Sequence, residues 1–261
     1  MTAVAWVDGT PLELSDVDDR ERAIRSGPAS SALPRSDSSE GRQLRRWLVQ
    51  LIAAERLVDA EARARRLTAG DAPDLTELAA DRAALLELGS VAAALLSQNP
   101  FARAVFPAVT GHLRVAPDRI ARYHADNPER FHLAEQRMIR HAILAAPELE
   151  PRLTDRPPRP IRRGELVGPV QDAVFAARAG QTVGPVRDPL GWHVLRVESV
   201  EPARTRPLAE VAPEIERTLL AADRRRAFTA WLDGRVLKLV RLAPGYEHPG
   251  DPGQPDNTHR H

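Results

Sequence analysis

Of the eight histidines in this 261-residue chain, two lie within largely apolar runs and three gather near the C-terminus, which makes imidazole the first chemistry to weigh. The chain has no cysteine, which removes disulfides, thiolate metal sites and a cysteine nucleophile in one step. His141 sits in the apolar run from Gln136 to Leu144, and His193 follows Gly191 and Trp192 at the start of a second such run. A neutral imidazole carries one donor and one acceptor. Each ring can therefore act as a general acid or base, or can close a hydrogen-bond network that only orders the chain. The other concentration lies at the C-terminus, where His248, Asp256, His259 and His261 fall within a short reach. His259 and His261 form an H-x-H pair that with His248 could hold a divalent cation, the alternative being a solvated tail. Apart from that cation, no cofactor is expected. His112, His124 and His132 fall on or beside polar helix faces, where solvation is the expectation.

His193 is positioned by the stretch from Gly164 to Val197, whose local signals agree. Val170 to Arg178 reads as a short amphipathic helix anchored by Val174 and Phe175, with Gly180 as its left-handed stop. Gly184-Pro185-Val186 reads as an edge strand, because proline cannot donate to a central ladder. Asp188-Pro189-Leu190-Gly191 is a turn, and Trp192 to Glu198 a strand. Trp192, Val194, Arg196 and Glu198 occupy one face of it, and His193, Leu195 and Val197 the other. His141 is carried by a strand over Gln136–Leu144. Between the two lies Ala145 to Arg163, with prolines at 147, 151, 157, 158 and 160, a density that precludes a regular helix through most of it.

The flanking chain is mostly helical. Ala3 to Val7 and Pro11 to Leu14 flank Asp8-Gly9-Thr10 as a hairpin, and Ser15 with Asp18 opens a helix to about Arg25. Gly27 to Gly41 is a Ser/Pro-rich loop. Leu44, Trp47, Leu48, Leu51, Ile52, Leu57, Val58 and Ala62 recur at helical spacing between Arg42 and Leu67. Leu75–Leu88, Val91–Leu96, Phe101–Leu113 and Val115–Asn127 continue the helical pattern, with Asn99-Pro100 as a break. After a linker at Glu201 to Pro207, a helix from Leu208 to Asp233 is expected to stop at Gly234, with a strand from Val236 to Leu242.

Composition bounds the rest. The net charge of +1 comes from interleaved acids and bases, so neither a nucleic-acid footprint nor a membrane-surface patch is expected. No stretch has the basic flank and apolar core of an export signal, and none is long enough to span a bilayer, so the expected location is cytoplasmic.

The segment Asp172-Ala173-Val174-Phe175-Ala176, Gly180, Gly184-Pro185-Val186 and Gly191-Trp192-His193-Val194 resembles the C-terminal half of a parvulin-type peptidyl-prolyl isomerase domain. Arg140-His141-Ala142-Ile143-Leu144 resembles the first strand of the same domain. In order, Val7-Asp8-Gly9, the leucine-rich run Leu48 to Leu57, and Tyr123 to Phe131 with its Asn127-Pro128-Glu129-Arg130-Phe131 core are similar to foldases of the SurA and PrsA kind. The resemblance implies an α+β fold in which a SurA-like helical domain, built from both termini (residues 1–132 with 206–245), carries an inserted, shortened parvulin-like antiparallel sheet domain (133–205), and residues 246–261 form a tail. It further implies that His141 and His193 face each other beneath a proline-binding cleft. The cleft positions become Leu166, Val170 and Leu190, joined by Phe175 and Trp192 as substrate-binding residues. Asp155 could stand in for the acid of the loop that is shortened here.

Function follows in two alternatives. One is a parvulin-like isomerase or chaperone-like protein acting on extended or proline-containing peptides. The other is an accessory enzyme of a biosynthetic pathway, acting with a partner protein and using the cleft histidines, with or without a tail-bound metal, on a small molecule.

Overall fold

The computed structural model describes residues 2–28, 30–147 and 152–247. It is an α+β protein whose described residues form two compact units, one drawn from 2–115 with 217–247 and the other from 116–216. The expected tail site at His248, His259 and His261 lies outside the described residues.

The first unit opens with strands β1 (Ala3–Val7) and β2 (Thr10–Glu13). They turn through Asp8 and Gly9, both at positive φ (47° and 77°), the left-handed pair that suits a two-residue hairpin. Helix α1 (Leu14–Arg25) follows. Its capping box is formed by Glu13 and Asp16 rather than by Ser15 and Asp18, because the strand runs directly into the helix and leaves no intervening turn.

Helix α2 (Ser39–Arg65) is the centre of this unit. Its apolar residues divide between two faces. Leu51, Ala54, Val58 and Ala62 pack toward the helical side with Phe106, Phe228 and Leu232, and Leu48, Val49, Ile52 and Leu57 toward the sheet with Val4, Leu12 and Val17. A helix apolar on two sides must be covered on both. Each of the larger side chains, the leucines, valines, isoleucine and phenylalanines, contributes about 1.5–3 kcal/mol by leaving water.

The run expected to be one helix over Leu75–Leu88 is instead α3 (Leu75–Leu78) and α4 (Arg82–Leu86). Asp81 accepts the Ala84 N–H as an N-cap and starts a new helix there. Helices α5 (Ser90–Gln98) and α6 (Pro100–Thr110) meet at Asn99, whose side chain accepts the N–H groups of Phe101 and Ala102.

The second unit holds α7 (Pro117–Asp126) and strands β3 (His132–Leu133), β4 (Gln136–Leu144) and β5 (Arg159–Arg162). Helix α8 (Gly168–Ala176) and strands β6 (Thr182–Asp188), β7 (Gly191–Glu201) and β8 (Arg204–Thr205) complete it. The antiparallel sheet has the order β5-β4-β7-β6. Strand β5 is the one element of this sheet that the proline-rich spacing concealed. It pairs at an edge, where Pro160 opposite Met138 costs no interior ladder bond. The short β8 pairs with β3 inside the stretch expected to be a linker.

Helix α9 (Leu208–Leu239) runs straight through Gly234, and the final strand is only β9 (Val240–Leu242), which pairs with β1. A mid-helix glycine costs about 1 kcal/mol. Trp231, Leu232 and Val236, packed against the α2 core on either side of it, outweigh that cost. No helix among the described residues is long and apolar enough to cross a membrane.

Candidate functional site

Strand registers place the histidines. Ile143 pairs with His193 across β4 and β7, and His141 pairs with Leu195, so the two rings form a diagonal pair on one face of the sheet. That face also carries Ile139, Leu195 and Val197, and α8 covers it with Val170, Val174 and Phe175. The histidines thus share a face with this apolar layer. Arg137 locks the helix in place, since its buried guanidinium donates to the carbonyls of Val174 and Ala177 at the helix end and pairs with Glu135 at 2.6 Å.

His141 Nε2 lies 2.9 Å from His193 Nδ1, with ring centroids 4.9 Å apart and stacked at 28°. His193 Nε2 lies 2.7 Å from Asp188 Oδ1. On the outer side, Arg159 Nη2 approaches His141 Nδ1 at 3.4 Å. These contacts fix the proton positions by elimination. The Asp188 carboxylate can only accept, so His193 carries a proton on Nε2; the Arg159 guanidinium can only donate, so His141 is bare at Nδ1, carries its proton on Nε2 and donates it to the lone pair at His193 Nδ1. The result is one directed chain, Arg159 to His141 to His193 to Asp188.

Electrostatics agree with this pattern. Burial first, then the adjacent His193 and the Arg159 charge, push His141 down to about 4, against an upward pull from Asp188. Burial works to raise the Asp188 carboxyl. The Leu190 N–H, the His193 ring and the Gly191 N–H outweigh it and hold the group below the usual carboxylate range.

The remaining expected site residues divide. Val170 and Phe175 are interior, 1% and 6% exposed, and Leu166 packs against the same core. The ring of Phe175 lies 5.1 Å and 4.5 Å from the guanidinium carbons of Arg137 and Arg163, so it is sheathed by protein rather than open to a substrate. Trp192 points to the opposite face from His193 by strand alternation, and Arg187 lies over its ring at 5.5 Å. Leu190, in the β6–β7 turn, is 75% exposed. Asp155 is set apart from the pair. Its segment is held by Arg140, which donates to the carbonyls of Thr154 and Arg156 and leaves β4 on the face away from His141.

Two participants escaped the sequence reading, Asp188 and Arg159. For Asp188 a signal existed. A tight turn over residues 188–191 pairs Asp188 with Gly191, and Gly191 shares a face with His193, so a hairpin register puts the carboxylate diagonal to the ring. Arg159 required the unexpected edge strand. Ile143, 47% exposed, stands beside the pair on the same face. Among the described residues, no group of three or more His, Cys, Asp or Glu side chains is placed to hold a metal ion.

Comparison with known proteins adds the following. A family described as "PPIC-type PPIASE domain" matches residues 39–213, and a family of unknown function (DUF7158) matches residues 3–40. No curated protein matches the chain significantly. Two solved chains from work on the SurA-like chaperones PEB4 and Cj1289 of Campylobacter jejuni align over 93% of this chain each. One covers 99% of its own length at 15% identity and TM-score 0.44, the other 100% at 11% identity and 0.41. The peptidylprolyl isomerase PrsA of Bacillus anthracis aligns over 87% of this chain and 89% of its own, at 12% identity and TM-score 0.22.

Proposed function

The chain belongs to the family of PPIC-type PPIASE domains, and from that premise we propose that its second unit binds extended, proline-containing peptide segments at the open end of the β4–β7 face. The prolyl ring packs on the exposed apolar surface of Ile143 and Leu190, and the half-buried imidazole of His141 forms the polar boundary. The observation that carries this reading is the closed chain from Arg159 to Asp188, which supplies neutral imidazole beside exposed apolar side chains.

Such a surface suits isomerisation in kind. The barrier of about 18–20 kcal/mol comes from amide resonance. Moving the prolyl amide out of water favours the twisted state without a nucleophile. Its rate enhancement is small here, because Val170 and Phe175 are committed to the core and leave the cleft with little wall. Binding of extended segments is therefore the dominant activity. Acid–base work by the pair on a small molecule is the weaker alternative: His141 is neutral well below pH 7, and the buried His193 spends both ring nitrogens on its neighbours.

The test uses the full chain with a fluorescent peptide panel that differs only at proline. Anisotropy reports binding, and exchange NMR reports cis–trans rates. Preferential binding of proline-containing peptides, weakened by His141→Ala, is expected. Equal failure to bind every peptide, with no change in exchange rate, rejects the proposal.

A further inference from the structure

In the first unit, far along the sequence from the histidine pair, a cavity of about 560 Å³ opens between α6, α9 and the segment that leads into α3. Its apolar wall is Leu78, Phe106, Pro107 and Leu220. Two arginines of α9, Arg217 and Arg224, line it seven residues apart, two helical turns along one face. The volume falls in the range of small-molecule sites, about 300–1,000 Å³.

Arg224 is the anomaly. Its Nε is buried without a hydrogen-bond partner. Arg25 and Arg46 also bury a nitrogen but engage Glu21 and the Gly245 carbonyl through Nε, whereas the buried Nε of the half-buried Arg224 meets no acceptor among the described residues. Leaving a charged donor unmatched is costly, about 1–3 kcal/mol or more. The carboxylates at the cavity do not answer it. Asp71 accepts the N–H and hydroxyl of Thr68, and Glu77 accepts the Asp74 N–H, so each has a local capping role on the wall facing α9. What the cavity lacks is an acceptor that reaches the guanidinium while its remainder covers an apolar wall.

We propose that this cavity binds a carboxylate joined to an apolar group, with the carboxylate seated on Arg224 and the apolar part against Leu78, Phe106 and Leu220. Planar guanidinium meets carboxylate through two parallel N–H···O bonds, which sets the ligand's direction. Arg217, at the exposed end, favours the approach of an anion. Two sources offer this chemistry, a free aliphatic or aromatic acid and the C-terminal carboxylate of a peptide ending in an apolar residue.

Calorimetric titration of the full chain tests it with octanoate, 3-phenylpropionate and the peptide Gly-Gly-Phe, each against its neutral counterpart: octanol, 3-phenylpropanol and the C-terminal amide. At least one acid is expected to bind at least about tenfold more tightly than its neutral partner, and Arg224→Gln to remove that preference. Binding by the free acids identifies a small molecule as the source; binding by the peptide alone identifies a chain terminus. Arg224→Met, which keeps an apolar stem and deletes the unmatched charge, is expected to raise Tm while abolishing acid binding. The proposal is overturned if no acid binds at millimolar concentration, if acids and neutral partners bind alike, if Arg224→Gln leaves the preference intact, or if Arg224→Met lowers Tm.

Discussion

His193 Nδ1 accepts a hydrogen bond from His141 Nε2 at 2.9 Å, and because His193 is only 3% exposed, its other nitrogen has no recourse to water. Asp188 at 2.7 Å holds a proton on His193 Nε2, and Arg159, donating to His141 Nδ1 at 3.4 Å, sets the other end of the pair.

Asp188→Ala should strand the buried Nε2–H of His193 and cost about 1–3 kcal/mol in chemical denaturation. Asp188→Asn keeps an acceptor oxygen and should cost less. Nitrogen-15 correlation spectra give the direct check. Both rings should be Nε2–H tautomers in the unaltered protein, and the His193 assignment should become mixed in Asp188→Ala. An unchanged tautomer with unchanged stability would mean the carboxylate does not govern the pair.

The His141 pKa gives a pH dependence with a definite sign. In the unfolded chain its imidazole takes up a proton near 6.5; in the folded protein it resists until about 4. Between those values the unfolded state binds more protons, so this group's contribution makes stability fall as pH drops from 6.5 toward 4, and leaves it flat above 6.5. Thermal melts of the unaltered protein and of His141→Phe across that window isolate the term, since the variant should lose part of the slope. A His141 carbon-bound proton titrating near 6.5 by NMR would contradict it.

How much of this was legible beforehand depended on whether one local signal or two competing ones were present. The strand over Gln136–Leu144 was legible from its run and its flanks, and the faces of β7 from alternation: His193, Leu195 and Val197 are 3%, 0% and 0% exposed, although Val194 on the opposite face is buried as well, at 8%. Helix α2 followed from its periodicity. Where a breaker residue sat in a supported position, the local rule lost to its surroundings. Pro160 reads as a breaker yet is tolerated at a sheet edge, and Gly234 reads as a stop yet is carried by the core on either side. Within the site the histidines were recognisable from the resemblance of their flanks. Asp188 looked like turn chemistry, which it also performs by accepting the Leu190 N–H at 2.7 Å. A residue with two jobs shows only its commoner one in sequence.

The peptide surface can be separated from the scaffold by exposure. Ile143 and Leu190 are 47% and 75% exposed, so replacing either with serine should alter stability by no more than about 0.5 kcal/mol. Loss of apolar contact area should nonetheless weaken binding of proline-containing peptides several-fold, with the double variant weaker still. Val170→Ala should do the reverse. It empties a core position, costs about 1–3 kcal/mol, and affects peptide affinity only through folding. Denaturation and anisotropy on the same four proteins would show whether the two effects part company.

Two glycines of the first unit should respond oppositely to one added methyl group. Gly234 lies inside α9 with nothing within 4 Å of where a Cβ would stand, so Gly234→Ala replaces a poor helix former with the best one and should stabilise by about 0.5–1 kcal/mol. Gly41 sits in the first turn of α2, where its N–H reaches the Ser38 hydroxyl at 3.0 Å and a Cβ would come within 2.1 Å of the Arg35 carbonyl oxygen. That contact is with backbone and cannot be relieved by a rotamer. Gly41→Ala must therefore shift the loop that caps α2, at a cost of about 1–3 kcal/mol. Thermal denaturation of both variants decides the matter. If Gly234→Ala destabilises, α9 does not continue unbroken into β9, and the strand pairing that joins the C-terminal segment to β1 needs a different approach.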